Sequence, residues 1–149
     1  PGGLNAVEQL FQIYEETGDS VVMLQEIPHQ DTKKYGIAAL DGANKITEII
    51  EKPDPVDAPS DLGAIGKYIL TPEVLKALKK SSPDSDGEIR LSAAFQNYIK
   101  EGGTVRGKIL EGERFDTGDK VGFLQASIHY ALKKEEGVRE MLEKIVRGG

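Results

Sequence analysis

The run Leu4-Asn5-Ala6-Val7-Glu8-Gln9-Leu10-Phe11-Gln12-Ile13-Tyr14-Glu15-Glu16-Thr17-Gly18-Asp19-Ser20-Val21-Val22-Met23-Leu24 changes its hydrophobic pattern part-way along. Leu4, Val7, Leu10, Phe11 and Tyr14 recur at helical spacing, and Thr17-Gly18-Asp19 stops that helix. Val21 to Leu24 then follows without alternation, as a strand covered on both faces does. A helix feeding a buried strand is the repeating unit of an α/β sheet, so the chain is expected to be α/β.

Working outward, Ile37 to Leu40 and Ile46 to Ile50 flank Asp41-Gly42-Ala43-Asn44 and read as a β-hairpin. Pro53, Pro55 and Pro59 keep the next stretch irregular, and Leu62 to Leu70 resumes as a strand containing Gly63 and Gly66. Thr71-Pro72 predicts a helix start with a hydroxyl cap, and Val74, Leu75 and Leu78 give its apolar face. Ser92 is a candidate cap for a helix carrying Phe95 and Ile99 and ended by Gly102-Gly103. Val105, Gly107 and Ile109 alternate as a half-buried strand. A long helix with Val121, Leu124, Ile128 and Leu132 and a short one with Val138, Met141, Leu142 and Ile145 complete the chain.

A length of 149 residues suits one domain, 1–149. No apolar run nears the ~20 residues of a membrane helix, and no signal peptide opens the sequence. With no cysteine there are no disulfides or thiolate metal sites, which fits a reducing cytoplasm, and two histidines are too few for a His-rich site. A net charge of −6 repels a phosphate backbone, so nucleic-acid binding is not expected and any anionic substrate must meet locally placed cations.

Candidate chemistry gathers at strand ends. Gly36, opening a strand after Tyr35, serves either a tight turn or a backbone that must approach a ligand. Glu51-Lys52-Pro53 closes the Ile46 to Ile50 strand. Neighbouring strand residues point to opposite faces, so the acid can accept from hydroxyls while the base meets a phosphate. Two solvated charges are the simpler alternative. Asp116, within Arg114-Phe115-Asp116-Thr117-Gly118-Asp119-Lys120, suits either a helix cap or an oxygen ligand for a hard cation. Asp119 fits a cap better. His29 and His129 read as surface or packing residues.

In order along the chain, Tyr35-Gly36-Ile37, Ile50-Glu51-Lys52-Pro53, Ile65-Gly66-Lys67-Tyr68-Ile69-Leu70-Thr71-Pro72, Gly87-Glu88-Ile89-Arg90-Leu91-Ser92 and Arg114-Phe115-Asp116-Thr117-Gly118-Asp119-Lys120-Val121-Gly122 resemble the UDP-glucose pyrophosphorylase family of sugar nucleotidyltransferases. The resemblance runs from the Leu4 helix to the Tyr130 region. It implies the carboxy-terminal part of a Rossmann-like nucleotide-diphospho-sugar transferase fold with a mixed sheet. It implies uridylyl transfer from UTP to glucose 1-phosphate, giving UDP-glucose and pyrophosphate with Mg2+. Glu51 would bind glucose hydroxyls, Lys52 the sugar phosphate and the Gly36 backbone the sugar. Gly66 would let a strand pass close to the sugar, and Asp116 would be one of two magnesium-binding aspartates. Catalysis would rest on Lys52 and Asp116.

The family's Gly-rich, Arg-containing phosphate loop and its Gly-Asp-Asp segment do not occur in these 149 residues. They are expected in a part preceding residue 1, leaving this chain the sugar-phosphate-binding portion. Ser92-Ala93 replaces the family's usual Thr-Asp and Arg90 its usual Gln, in a segment read as a helix start near an oligomer contact. A homo-oligomer is expected, because strands such as Val21 to Leu24 would pair with the preceding part and be left with uncovered edges without it. A thymidylyl- or guanylyltransferase, and a non-catalytic assembly module of the same fold, are the alternatives.

Overall fold

The computed structural model describes residues 4–84, 87–118 and 120–148. The chain divides into two compact units, residues 1–112 and 113–149, each described by itself. Asp119, expected as a cap, lies outside the described residues.

In the first unit, helix α1 (Ala6–Thr17) opens with a capping box. Asn5 Oδ1 accepts from the amides of Val7 and Glu8, and the Glu8 carboxylate accepts from the Asn5 amide at 2.8 Å. The helix stops at Gly18, whose φ of 70° is a conformation that L side chains rarely adopt. Its apolar stripe differs from the expected one. Leu10 is buried and Ala6 and Ile13 pack with it, whereas Leu4, Val7, Phe11 and Tyr14 are exposed. Gln9 is buried with them because its amide is fully used. Its Nε2 donates to the carbonyls of Leu4 and Glu111, and its Oε1 accepts from the Glu111 amide at 3.0 Å.

Strand β1 (Ser20–Glu26) follows at once, with Val21 to Leu24 fully buried. Strands β2 (Gly36–Leu40), β3 (Ile46–Glu51), β4 (Leu62–Ile69) and β5 (Val105–Ile109) complete a mixed sheet in the order β3-β2-β4-β1-β5. β1 runs antiparallel to β4 and parallel to β5, so both of its edges are taken within this chain rather than left for strands outside it. Val21 and Met23 face α1, while Val22 and Leu24 join the larger core with Val74 and Phe95. Those two come from α2 (Pro72–Lys80) and α3 (Leu91–Lys100), so helices cover both faces of β1. Each such buried aliphatic side chain stabilises the fold by roughly 1.5–3 kcal/mol. Ile109, expected to be half-buried, is exposed.

Two expected caps are employed elsewhere. Thr71 precedes α2, but its hydroxyl accepts from the buried Ser20 hydroxyl at 3.1 Å, and Ser20 Oγ accepts from the Thr71 amide. Ser92 lies inside α3, which begins at Leu91.

The second unit contains α4 (Lys120–Lys134) and α5 (Val138–Gly148). Glu113 pairs with His129 at 2.9 Å and with Lys133 at 3.3 Å, and the Phe115 ring sits 4.8 Å from the His129 ring. No helix among the described residues is long and apolar enough to cross a membrane.

Candidate functional site

The β2–β3 hairpin is held at both ends. At its tip the Asp41 carboxylate accepts from the amides of Ala43 and Lys45, which holds its pKa below the usual value. The Asn44 carbonyl accepts from the Gly107 amide, and Arg106 bonds the Ala43 carbonyl and the Asp19 carboxylate. At the open end, Gly36 at the start of β2 stands directly opposite Glu51 at the end of β3. A Cβ on Gly36 would lie 3.1 Å from Glu51 Oε2 and 3.8 Å from Ser92 Cβ. The missing side chain is therefore the space into which the carboxylate turns.

That carboxylate is held from α3. The Ser92 hydroxyl donates to Oε2 at 2.9 Å, and Arg90 Nη1 lies 3.4 Å from Oε1. Around it is a cavity of about 210 Å³ lined by Gly36, Glu51, Tyr68, Arg90, Ser92 and Phe95, among others. Burial, and then the Glu51 charge, push the Tyr68 phenol above its ordinary pKa, while a hydrogen bond from the Gly66 amide works the other way. Tyr68 is thus a neutral hydroxyl at the wall, beside an acceptor carboxylate. A polar cavity of this kind suits a small polyhydroxylated ligand.

Gly66 itself does not line the cavity. Val22 pairs with Tyr68 and Leu24 with Ala64, so β4 bulges between them, and Gly66 takes a φ of 73° there. Ala64 and Tyr68, on either side of the bulge, both line the cavity.

Lys52 lies just beyond β3 with a φ of 45°, left-handed backbone for a residue with a Cβ. Lys52 therefore follows Glu51 in a left-handed turn and not as the next residue of the strand. The amide donates to the Tyr35 carbonyl at 2.9 Å, and Pro53 behind it is buried. The Lys52 ammonium is exposed and joins no ion pair among the described residues. It does not line the cavity.

Asp116 belongs to the second unit, in the turn before α4. Its Oδ1 accepts from the Gly118 amide at 3.0 Å and its Oδ2 lies 3.8 Å from Arg114 Nη2, with the side chain 63% exposed. It therefore caps its own turn and presents a hard oxygen donor. No cluster of three or more His, Asp or Glu able to hold a metal exists among the described residues, so the carboxylate fits one place in a ligand set, not a whole one.

Residues 4–133 match the family model for nucleotidyl transferases. The chain belongs to the nucleotidyl transferase family. This nucleotidyl transferase chain is 37% identical over 147 residues to UTP–glucose-1-phosphate uridylyltransferase 2 of Streptococcus pyogenes serotype M3, covering 95% of this chain and 49% of the relative. The serotype M1 protein of the same name matches to the same extent. The nucleotidyl transferase chain spans about half the length of these curated relatives. Among solved structures it is similar to apo UDP-glucose pyrophosphorylase, with a TM-score of 0.79 and 30% identity over 86% of this chain and 48% of that one. It is similar to a UDP-glucose complex of UDP-glucose pyrophosphorylase, with a TM-score of 0.79 and 29% identity over 89% of this chain and 52% of that one. The α/β architecture and mixed sheet are those of the nucleotidyltransferase fold.

Tyr68, Arg90, Ser92 and Phe95 were not foreseen as site residues. Arg90 and Ser92 stood out only as departures near a supposed oligomer contact. They do stand at a helix start, and they also contact Glu51 in the cavity wall.

Proposed function

We propose that this chain supplies the sugar-phosphate side of uridylyl transfer from UTP to glucose 1-phosphate. A phosphate oxygen of the sugar phosphate forms a bond to the α-phosphorus of UTP. The bond to the bridging oxygen breaks, and pyrophosphate leaves with its electron pair. The observation that carries the proposal is the open hairpin end, where Glu51, facing Gly36, lines a cavity with its carboxylate and Lys52 follows as an exposed cation.

Glu51 accepts hydrogen bonds from glucose hydroxyls, the Gly36 backbone lies against the sugar, and Gly66 shapes the wall through its bulge. Lys52 is a point charge for the sugar phosphate, drawing it to the rim and offsetting its repulsion from the triphosphate. Asp116 is assigned as one ligand of Mg2+, offered by its exposed carboxylate. Bound magnesium would neutralise charge on the transferring phosphates. Self-association belongs to the same proposal. It is supported by the exposed row Leu4, Val7, Phe11 and Tyr14, and light scattering that returns a monomer removes it.

The test is pyrophosphate release from UTP and glucose 1-phosphate by the full-length protein. Asp116→Asn should remove most turnover and leave the thermal melt unchanged. Lys52→Ala should weaken every sugar phosphate about equally, and Glu51→Gln should blur discrimination among them. Near-normal turnover of Asp116→Asn at saturating magnesium, or identical sugar profiles for the other two variants, overturns these roles.

A further inference from the structure

We propose that Arg90 and Ser92 are positioning residues that aim the Glu51 carboxylate and thereby set the preference among sugar phosphates. The inference rests on Glu51 being the acceptor for sugar hydroxyls. Arg90 is only 17% exposed, and its guanidinium spans carboxylates on two elements. Its Nε lies 2.9 Å from Asp84 and its Nη1 3.3 Å from Glu88, both in the segment before α3. The same Nη1 is 3.4 Å from Glu51 at the end of β3. Arg90 thus ties the entry of α3 to the strand end across the mouth of the cavity. Ser92, buried two residues further on, occupies the other oxygen of the same carboxylate at 2.9 Å.

A carboxylate offers about four lone-pair positions. With a donor fixed on each oxygen, the direction of the remaining lone pairs is fixed too, and Gly36 leaves them open to the cavity. A planar guanidinium and a hydroxyl on a helix define that direction more narrowly than solvent does. Epimeric sugars differ by the direction of one hydroxyl, so an acceptor of fixed aim separates them and a rotating one does not. Arg90 also anchors the segment before α3, but in this scheme Arg90 and Ser92 affect the sugar only through Glu51.

The test is a double-mutant cycle on the full chain, reading binding of glucose 1-phosphate and galactose 1-phosphate by calorimetry, with thermal melts in parallel. Arg90→Ala and Ser92→Ala should each weaken glucose 1-phosphate about ten-fold, the scale of one hydrogen bond to a charged group, and galactose 1-phosphate less. Arg90→Lys should recover part of the loss. In a Glu51→Gln background, Arg90→Ala should change either affinity less than about two-fold, because the acceptor it aims is already altered. If Glu51→Gln leaves glucose 1-phosphate binding unchanged, the reading of Glu51 fails and takes this inference with it. If Glu51→Gln weakens binding but Arg90→Ala costs the same in both backgrounds, the Glu51 reading stands and the positioning role is overturned. Should Arg90→Ala fail to fold, Arg90→Gln and Ser92→Ala complete the cycle.

Discussion

Gly36→Ala isolates the space beneath Glu51. Gly36 does not require a left-handed backbone, so alanine is not strained by conformation. The added methyl instead meets Glu51 Oε2 at 3.1 Å, tighter than ordinary van der Waals contact, and the carboxylate must retreat by a few tenths of an ångström. Ser92 Cβ at 3.8 Å is in ordinary contact and resists nothing. Folding should be nearly neutral. Replacing glycine removes freedom from the unfolded chain, worth about 0.4–1 kcal/mol, and the tight contact offsets a similar amount. Binding should suffer more, because the displaced acceptor loses the alignment of a charge-assisted hydrogen bond, worth about 1.5–3 kcal/mol or roughly a ten- to hundred-fold weaker Kd. Calorimetric titration with glucose 1-phosphate beside a urea melt measures both. Wild-type affinity in Gly36→Ala would refute the claim that the glycine exists to seat the carboxylate. A loss of several kcal/mol in stability would show that it serves the sheet instead.

Lys52→Gly should be more stable to urea than Lys52→Ala by about 1 kcal/mol, because only glycine occupies the left-handed region without cost, while both lose the cation. Gly107→Ala should destabilise by about 1–3 kcal/mol in a thermal melt, since its methyl would lie 2.6 Å from Leu40 and 2.7 Å from Leu24 in the buried centre of β5. Tyr68 has a raised folded pKa, so its contribution is whole below the unfolded value near 10 and is lost as pH rises through the folded one. Stability measured against pH above that point should therefore fall less steeply in Tyr68→Phe than in wild type. Equal slopes would show that another group governs the alkaline limb.

Period and punctuation made the sheet legible. Val21 to Leu24 is doubly covered, the hairpin turns at residues 41–45, and Gly36 and Glu51 sit at its open end as strand-terminal residues should. The phase of α1 was not legible, because hydrophobicity ranks Gln9 as polar while its hydrogen bonds to Glu111, 102 residues away, make it a core residue. The left-handed turn at Lys52 carries no glycine to announce it. Thr71 and Ser92 looked like caps because capping is a local property, and the partners that claim their hydroxyls, Ser20 and Glu51, are 51 and 41 positions distant. The Arg90–Glu51 contact likewise joins residues 39 apart and leaves no spacing signal.

The central claim is that the open end of the β2–β3 hairpin binds a sugar phosphate. Titration of the isotope-labelled chain with glucose 1-phosphate, followed by amide chemical shifts, tests it most directly. Saturable shifts centred on Gly36, Glu51, Lys52 and the start of α3, lost in Glu51→Gln, are the predicted result. Saturable binding whose shifts leave those amides unmoved would contradict it.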